Sequence, residues 1–251
     1  MSLPSPSQPL PDCFLPTEGV FNFRDVGGLA TLDGHRIRTG VLLRSDNWKH
    51  ATASDLEYAH GEAKIRHIVD LRREAERRDH GVFPASGIQT LHHLELVHLP
   101  WQRFDFTDAD PVSESEKRRF LAQRYASMLE SGWEGVRDSL NVIADGETTL
   151  VHCMAGKDRT GIVVAVALAL AGVSDEDIAA DYELTTFGTR RWKAFRDAKY
   201  GPPRHDRVKP SRAECMIEAF QLVRERFRSM ETYAKVIGFE RVEDLREALV
   251  E

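Results

Sequence analysis

The chain has 251 residues, 41% of them hydrophobic and 29% charged, with a formal net charge of −6; that is long enough to bury a continuous core and balanced like a globular rather than a disordered protein. A net negative charge gives no general attraction to nucleic acid or acidic membrane surfaces, so nucleic acid is not an expected partner, and any affinity for phosphate must come from local basic groups. Three widely spaced cysteines, Cys13, Cys153 and Cys215, argue against a disulfide framework and a CxxC zinc site, and fit a reducing, cytoplasmic setting.

Five prolines interrupt residues 1–17, which read as a flexible arm without the basic start and apolar run of a signal peptide; residues 18–251 read as a single domain. In chain order, strands are expected at 41–44, 65–71, 94–99 and 148–152. Helices are expected at 52–61, opened by a capping box from Thr52 and Asp55 or Ser54 and Glu57, then at 113–130, 133–144 and 160–171. Ser174 caps a further helix reaching about residue 185, and 211–230 and 242–250 complete the set. The charged run from Arg72 to Arg78 reads as a solvated helix face stitched by Glu74 and Glu76. Residues 190–210, basic and with three prolines, read as a loop-rich excursion. Helix 160–171 is apolar all round and belongs in the centre of the core; its apolar run is too short to span a bilayer, so no stable membrane insertion is expected. Strands alternating with helices imply an α/β fold with a central, mostly parallel sheet flanked by helices on both faces. In such sheets ligands gather beyond the carboxyl ends of the strands.

Cys153 stands at one of those ends, in His152-Cys153-Met154-Ala155-Gly156-Lys157-Asp158-Arg159-Thr160-Gly161. A strand delivers a cysteine, an arginine follows six residues later, and an apolar helix begins at once. The backbone amides of Met154 to Arg159 can surround one anion, to which the new helix adds unpaired N–H groups and its dipole. The same positive potential favours thiolate over thiol. Arg159 can grip two phosphate oxygens with its planar fork, Gly156 and Gly161 remove side chains where the backbone turns or approaches the ligand, and the Thr160 hydroxyl is placed to donate to the cysteine sulfur.

This loop resembles that of the protein tyrosine phosphatase superfamily: His-Cys, five residues, Arg, then Ser or Thr. Its Gly-Lys-Asp-Arg-Thr-Gly ending is similar to that of bacterial and fungal tyrosine phosphatases that also act on phosphoinositides. The blocks Asn22-Phe23-Arg24-Asp25-Val26-Gly27-Gly28, Leu43-Arg44-Ser45, Asp70-Leu71-Arg72, and Asp181-Tyr182 with Leu184-Thr185 recur in that group in this order. The resemblance implies a cysteine-phosphatase-like domain in which Cys153 attacks phosphorus and forms a phosphocysteine that water hydrolyses, with Arg159 and the loop amides stabilising the equatorial oxygens. It implies no metal and no cofactor, and a phosphorylated protein or phosphoinositide as partner, phosphotyrosine first, dual specificity or lipid next. For the general acid the resemblance favours Asp158 inside the loop, with Asp105 or Asp108 on a separate upstream loop as the competing carboxylates. Lys157 adds a second positive charge at the rim. His152 is expected to orient the loop, Asp70 to orient Arg159 or Lys157, and Arg24, Asp25 and Arg44 to pin the first turns.

His92, His93 and His98 lack carboxylate or cysteine partners at ligand spacing, so no metal site is expected. Gly156-Lys157 is followed by Asp158 rather than Ser or Thr, which excludes a nucleotide P-loop. A non-catalytic phosphate-binding module and a sulfur or arsenate transfer enzyme are the competing readings; the intact loop opposes the first, and the Arg159-Thr160 ending and flanking blocks oppose the second. The sequence carries no signal for oligomeric state.

Overall fold

A computed structural model of the chain describes residues 9–84, 90–96, 113–204 and 210–251. The strands are β1 (Arg24–Asp25), β2 (Leu42–Ser45), β3 (His67–Asp70), β4 (Thr90–His93) and β5 (Thr149–His152). They form one sheet in the order β1-β2-β5-β3-β4, antiparallel only between β1 and β2. This is the expected α/β architecture with a mostly parallel sheet. β5 is central, and its register sets Ser45 beside His152 and His152 beside Asp70, a row along the carboxyl edge.

Side-chain alternation sorts two cores. Leu42, Val69 and Val151 face the larger one; Leu43, Ile68 and Leu150 face the smaller. The larger core lies under α3 (Glu114–Ser131), α4 (Trp133–Ile143), α5 (Asp158–Leu170), α6 (Asp175–Tyr200), α7 (Ala213–Phe227), α8 (Met230–Val236) and α9 (Val242–Leu249). The smaller is closed by Ala59 of α1 (Ala53–Gly61) with Val20, Phe23, Trp48, Ile65 and Phe83, where Trp48 packs on Phe83 at 4.5 Å between ring centroids and on Phe23 at 5.3 Å. α5 is buried from Arg159 to Leu168, as a helix apolar on every side requires; each fully buried Val, Ile or Leu contributes roughly 1.5–3 kcal/mol. Thr52 and Asp55 make the expected capping box, and the Asp55 carboxylate also accepts from the amides of Glu18 and Gly19. Residues 13–15 run alongside β1, with the Leu15 amide donating to Phe23 O and the Asp25 amide to Cys13 O. No helix among the described residues is long and apolar enough to cross a membrane.

Three local expectations are corrected. The strand expected at 94–99 lies upstream at Thr90–His93, because β3 offers only His67–Asp70 for pairing; beyond it the Leu94 and Leu96 amides donate to Asp70 O and Leu71 O and Leu96 drops into the core. Residues 97–99 lie outside the described residues. The helix expected to stop near 185 continues as α6 to Tyr200, so residues 190–200 are helical rather than a loop. Nothing between Thr185 and Tyr200 breaks a helix except Gly188; the chain stops only at Gly201, before Pro202 and Pro203. The helix expected over 211–230 ends at Phe227; Arg228 takes a positive φ of 71° and Ser229 caps the separate α8.

Gly188 is where α6 passes Asn22: a Cβ there would lie 2.6 Å from the Asn22 Cβ and 2.8 Å from its Cγ. In an unobstructed helix Gly188→Ala would add about 1 kcal/mol of stability. Here the collision should reverse the sign and cost roughly 1–3 kcal/mol. Chemical denaturation of the two proteins checks this; a more stable Gly188→Ala variant would show that the contact yields freely.

Candidate active site

The loop between β5 and α5 is held from outside by its carbonyls. Met154 O accepts from the Asn47 amide at 3.1 Å and from Asn47 Nδ2 at 2.8 Å. Asn22 Nδ2 donates to Ala155 O and Gly156 O, both at 3.1 Å, and Arg44 Nη2 donates to Gly156 O at 2.9 Å. With three successive carbonyls drawn to the scaffold, the planar trans peptides turn the N–H groups of Ala155, Gly156 and Lys157 to the opposite side. Gly156 sits at φ +62° and its missing Cβ would fall 2.3 Å from Ser45 O, so only glycine lets the loop close on β2.

The donors that hold the loop are themselves fixed. Asp181 on α6 takes Arg24 Nε on one carboxylate oxygen at 3.0 Å and Arg44 Nη1 on the other. Arg24 also donates to Asp181 O at 2.8 Å and to Asn22 Oδ1 at 2.5 Å, orienting the amide that grips Ala155 and Gly156. Both arginines are fully buried. Burial, then the neighbouring Arg44, lowers Arg24 to about 10; burial would raise Asp181, but Arg24 and Arg44 hold it below the usual carboxylate range. Two guanidiniums against one carboxylate leave a surplus positive charge directly behind the loop. Asp46, buried next to Ser45, accepts from the amides of Phe21 and Asn22, both at 2.9 Å, and burial raises its carboxyl to about 7. Asp25 has a plainer role, closing turns on the amides of Gly27 and Gly40.

Cys153 is 3% exposed, at the floor of the loop. Arg159 faces it closely enough that, although burial would lower the guanidinium, the Cys153 and Glu76 charges raise it. Nη1 donates to Leu71 O at 3.2 Å and to Glu76 Oε2 at 2.6 Å, and Nη2 to Glu76 Oε1 at 2.9 Å. A guanidinium has five N–H donors. These three bonds occupy one end of the plane and leave the Nε–H and one Nη2–H, which share the other edge and suit two oxygens of one anion.

Glu76 is one of the residues that sequence reasoning missed. The charge pattern places it in a solvated ladder, but it sits in the first turn of α2 (Glu74–His80), and its carboxylate also accepts the Arg73 amide at 2.9 Å. A short helix with no buried residue, placed at the carboxyl end of β3, was the available signal. Asp70, expected to orient Arg159 or Lys157, instead pairs bidentately with Arg72, Nε to Oδ1 at 2.8 Å and Nη2 to Oδ2 at 2.7 Å. The short reach from residue 70 to 72 at a strand end favours that local partner. His152 Nε2 lies 3.8 Å from Asp70 Oδ2 and Nδ1 lies 3.4 Å from Cys153 O; burial depresses its pKa to about 4, so it stands neutral behind the loop. Thr160 is buried with its hydroxyl unpartnered, so the expected bond to the cysteine sulfur is not made. Lys157 Nζ donates to Pro210 O at 3.5 Å. Asp158 is half-buried and accepts from the Tyr125 hydroxyl at 2.5 Å. Burial would raise its carboxyl, but Lys157, Arg124, Tyr125 and Arg159 hold it below the usual range. Asp105, Asp108 and His98 lie outside the described residues. Among the described residues no group of three or more His, Cys, Asp or Glu side chains is arranged to hold a metal.

The tyrosine phosphatase family is matched over residues 15–251. A protein of Cupriavidus necator named as a tyrosine-protein phosphatase is 31% identical over 173 residues, covering 65% of this chain and 59% of that protein. The triple specificity protein phosphatase of Mycobacterium tuberculosis is 31% identical over 195 residues, covering 65% of this chain and 66% of that protein. The chain thus spans less than two thirds of the length of either relative.

Burial would raise Glu76, but the hydrogen bonds and charge of Arg159 pull it from 4.5 to about 2. A carboxyl lowered on folding adds stability above its unfolded pKa and loses it as pH falls through the folded one, so this contribution is present above pH 4.5 and disappears toward pH 2. Glu76→Gln should lose that acid-side dependence and, by loosening Arg159, weaken inorganic phosphate binding by roughly 10- to 100-fold in calorimetric titration. Unchanged phosphate affinity would show that Arg159 holds its pose unaided.

Proposed function

The chain belongs to the tyrosine phosphatase family, whose members are phosphoric monoester hydrolases, and from that premise we propose that it hydrolyses phosphate monoesters through a phosphocysteine on Cys153. The observation that carries this reading is the outward pinning of Met154 O, Ala155 O and Gly156 O by Asn47, Asn22 and Arg44, which leaves the loop amides available to one anion, with the edge of Arg159 that Glu76 does not hold available to grip it.

In the first step Cys153 Sγ attacks phosphorus as the thiolate. The S–P bond forms, the P–O bond to the leaving group breaks, and the departing oxygen takes a proton from Asp158. Arg159, the loop amides and the start of α5 spread the charge of the three equatorial oxygens. In the second step Asp158 accepts a proton from water as its oxygen attacks phosphorus, and the sulfur leaves. The surplus charge of Arg24 and Arg44 around Asp181 supports the anion through both steps. Phosphotyrosine in proteins is the substrate class proposed first, because an aryl phosphate places its phosphorus deep enough to meet a sulfur at the loop floor. Phosphoserine, phosphothreonine and phosphoinositides follow, with Lys157 supplying a rim charge. The unpaired thiols Cys13, Cys153 and Cys215 suit a cytoplasmic setting.

Cys153→Ser should lower turnover of an aryl phosphate by more than about 10³-fold while inorganic phosphate still binds. Asp158→Asn should lose roughly 10²–10⁴-fold on substrates with poor leaving groups and much less on activated aryl phosphates. Because Asp158 is held below the usual carboxylate range, the protonated acid becomes scarcer as pH rises, and kcat/KM should peak on the acid side of neutrality and fall above it. The measurements are steady-state rates across pH on aryl phosphates, phosphopeptides and phosphoinositides. An Asp105→Asn or Asp108→Asn variant showing the leaving-group pattern instead would move the acid to that segment, and full activity in Cys153→Ser would end the cysteine mechanism.

A further inference from the structure

Tyr125 on α3 and Tyr182 on α6 form a closed pair behind Asp158. The Tyr125 hydroxyl donates to Asp158 Oδ1 at 2.5 Å and lies 2.5 Å from the Tyr182 hydroxyl. The rings meet edge to face, 5.9 Å apart at 75°, and both side chains are buried. A phenol has one proton to donate. That of Tyr125 is committed to Asp158, so the Tyr125–Tyr182 bond must be donated by Tyr182. Neither phenol ionises near neutrality: burial first, then the Asp158 charge, raises both well above the ordinary tyrosine value. The chain Tyr182 to Tyr125 to Asp158 is therefore oriented in one direction.

We infer that Tyr125 is a positioning residue for the proton-transfer step, its donated hydrogen bond reserving Asp158 Oδ1 as an acceptor so that the proton passed to the leaving group is carried on Oδ2, with Tyr182 locking Tyr125 in the donating sense. This rests on Asp158 being the general acid. The groups facing Asp158 are Lys157 and Arg159 from its own loop and helix, and Arg124 and Tyr125 from α3; Tyr182 in turn faces Cys215 of α7 and Ser211 just before it. Lys157, Arg124 and Arg159 lower the carboxylate through their charge, and Tyr125 adds a directed bond to one oxygen. The donor also stabilises the ionised acid, so it sets how readily the proton is released.

The experiment compares kcat/KM against pH, on aryl phosphates of differing leaving-group acidity, for wild type and the variants Tyr125→Phe, Tyr182→Phe and Asp158→Asn, with site-specific 3,5-difluorotyrosine at position 125 as a fourth variant. Losing a hydrogen bond to a charged acceptor should raise the acid, so in Tyr125→Phe the alkaline limb should move up by about one pH unit. Tyr182→Phe, which keeps the donor but removes its polarising partner, should move it the same way by less. The fluorinated phenol, a stronger donor that keeps ring and hydroxyl, should move the limb down. A uniform loss of rate in Tyr125→Phe with its limb unmoved, or a fluorinated protein with an unmoved limb, would overturn the inference while leaving the acid in place. If instead Asp158→Asn retains the wild-type limb and leaving-group dependence, the acid assignment itself fails, and the role of Tyr125 falls with it.

Discussion

The contact on which the site depends is the carboxylate of Asp181 held between two buried guanidiniums. Without it Arg24 and Arg44 would be like charges confined in low dielectric, and neither would keep its other bond. With it, Arg44 reaches the Gly156 carbonyl and Arg24 aims the Asn22 amide at Ala155 and Gly156. The anion-facing side of the loop is thus defined from the opposite side. The scaffold behind the loop determines where its amides point, by claiming the oxygens.

Charge is distributed around the loop in unequal parcels. Asp70 with Arg72 and Glu76 with Arg159 are each balanced pairs, which fix geometry but add little net field. The Arg24–Asp181–Arg44 cluster is unbalanced, two cations to one anion, and lies behind the loop. Burying such an excess costs solvation, visible in the lowered pKa of Arg24. An anion in the loop recovers part of that cost. The protein is therefore expected to be most at ease when the loop is occupied, a state in which the surplus charge has a partner.

Much of this was legible beforehand where one segment carries its own signal. The strand at 149–152, the glycine-flanked loop and the apolar α5 follow from local pattern, and so do the caps at Thr52 and Ser174. The blocks around Arg24, Arg44 and Asp181 were recognisable as motifs, but their joint purpose needed the three-way contact that only topology supplies. Glu76 and Tyr125 were not legible for the same reason: each lies on an ordinary helix, and its significance comes from a partner on α5. Asp70 stands at the carboxyl end of β3, as its place in the sequence implies, but the nearer Arg72 claims its carboxylate in place of Arg159 or Lys157. The continuation of α6 to Tyr200 was hidden by the basic residues and three prolines of 190–210, yet all three prolines lie beyond Tyr200.

The wide sequence span of the Asp181 contacts bears on how the protein comes into being. Arg24 and Arg44 leave the ribosome early and the loop of Cys153 later, yet the carboxylate that reconciles the two arginines follows only on α6. A growing chain that already exposes Cys153 therefore still lacks the keystone behind its loop. The loop takes its final shape only once synthesis has passed the last of its supports.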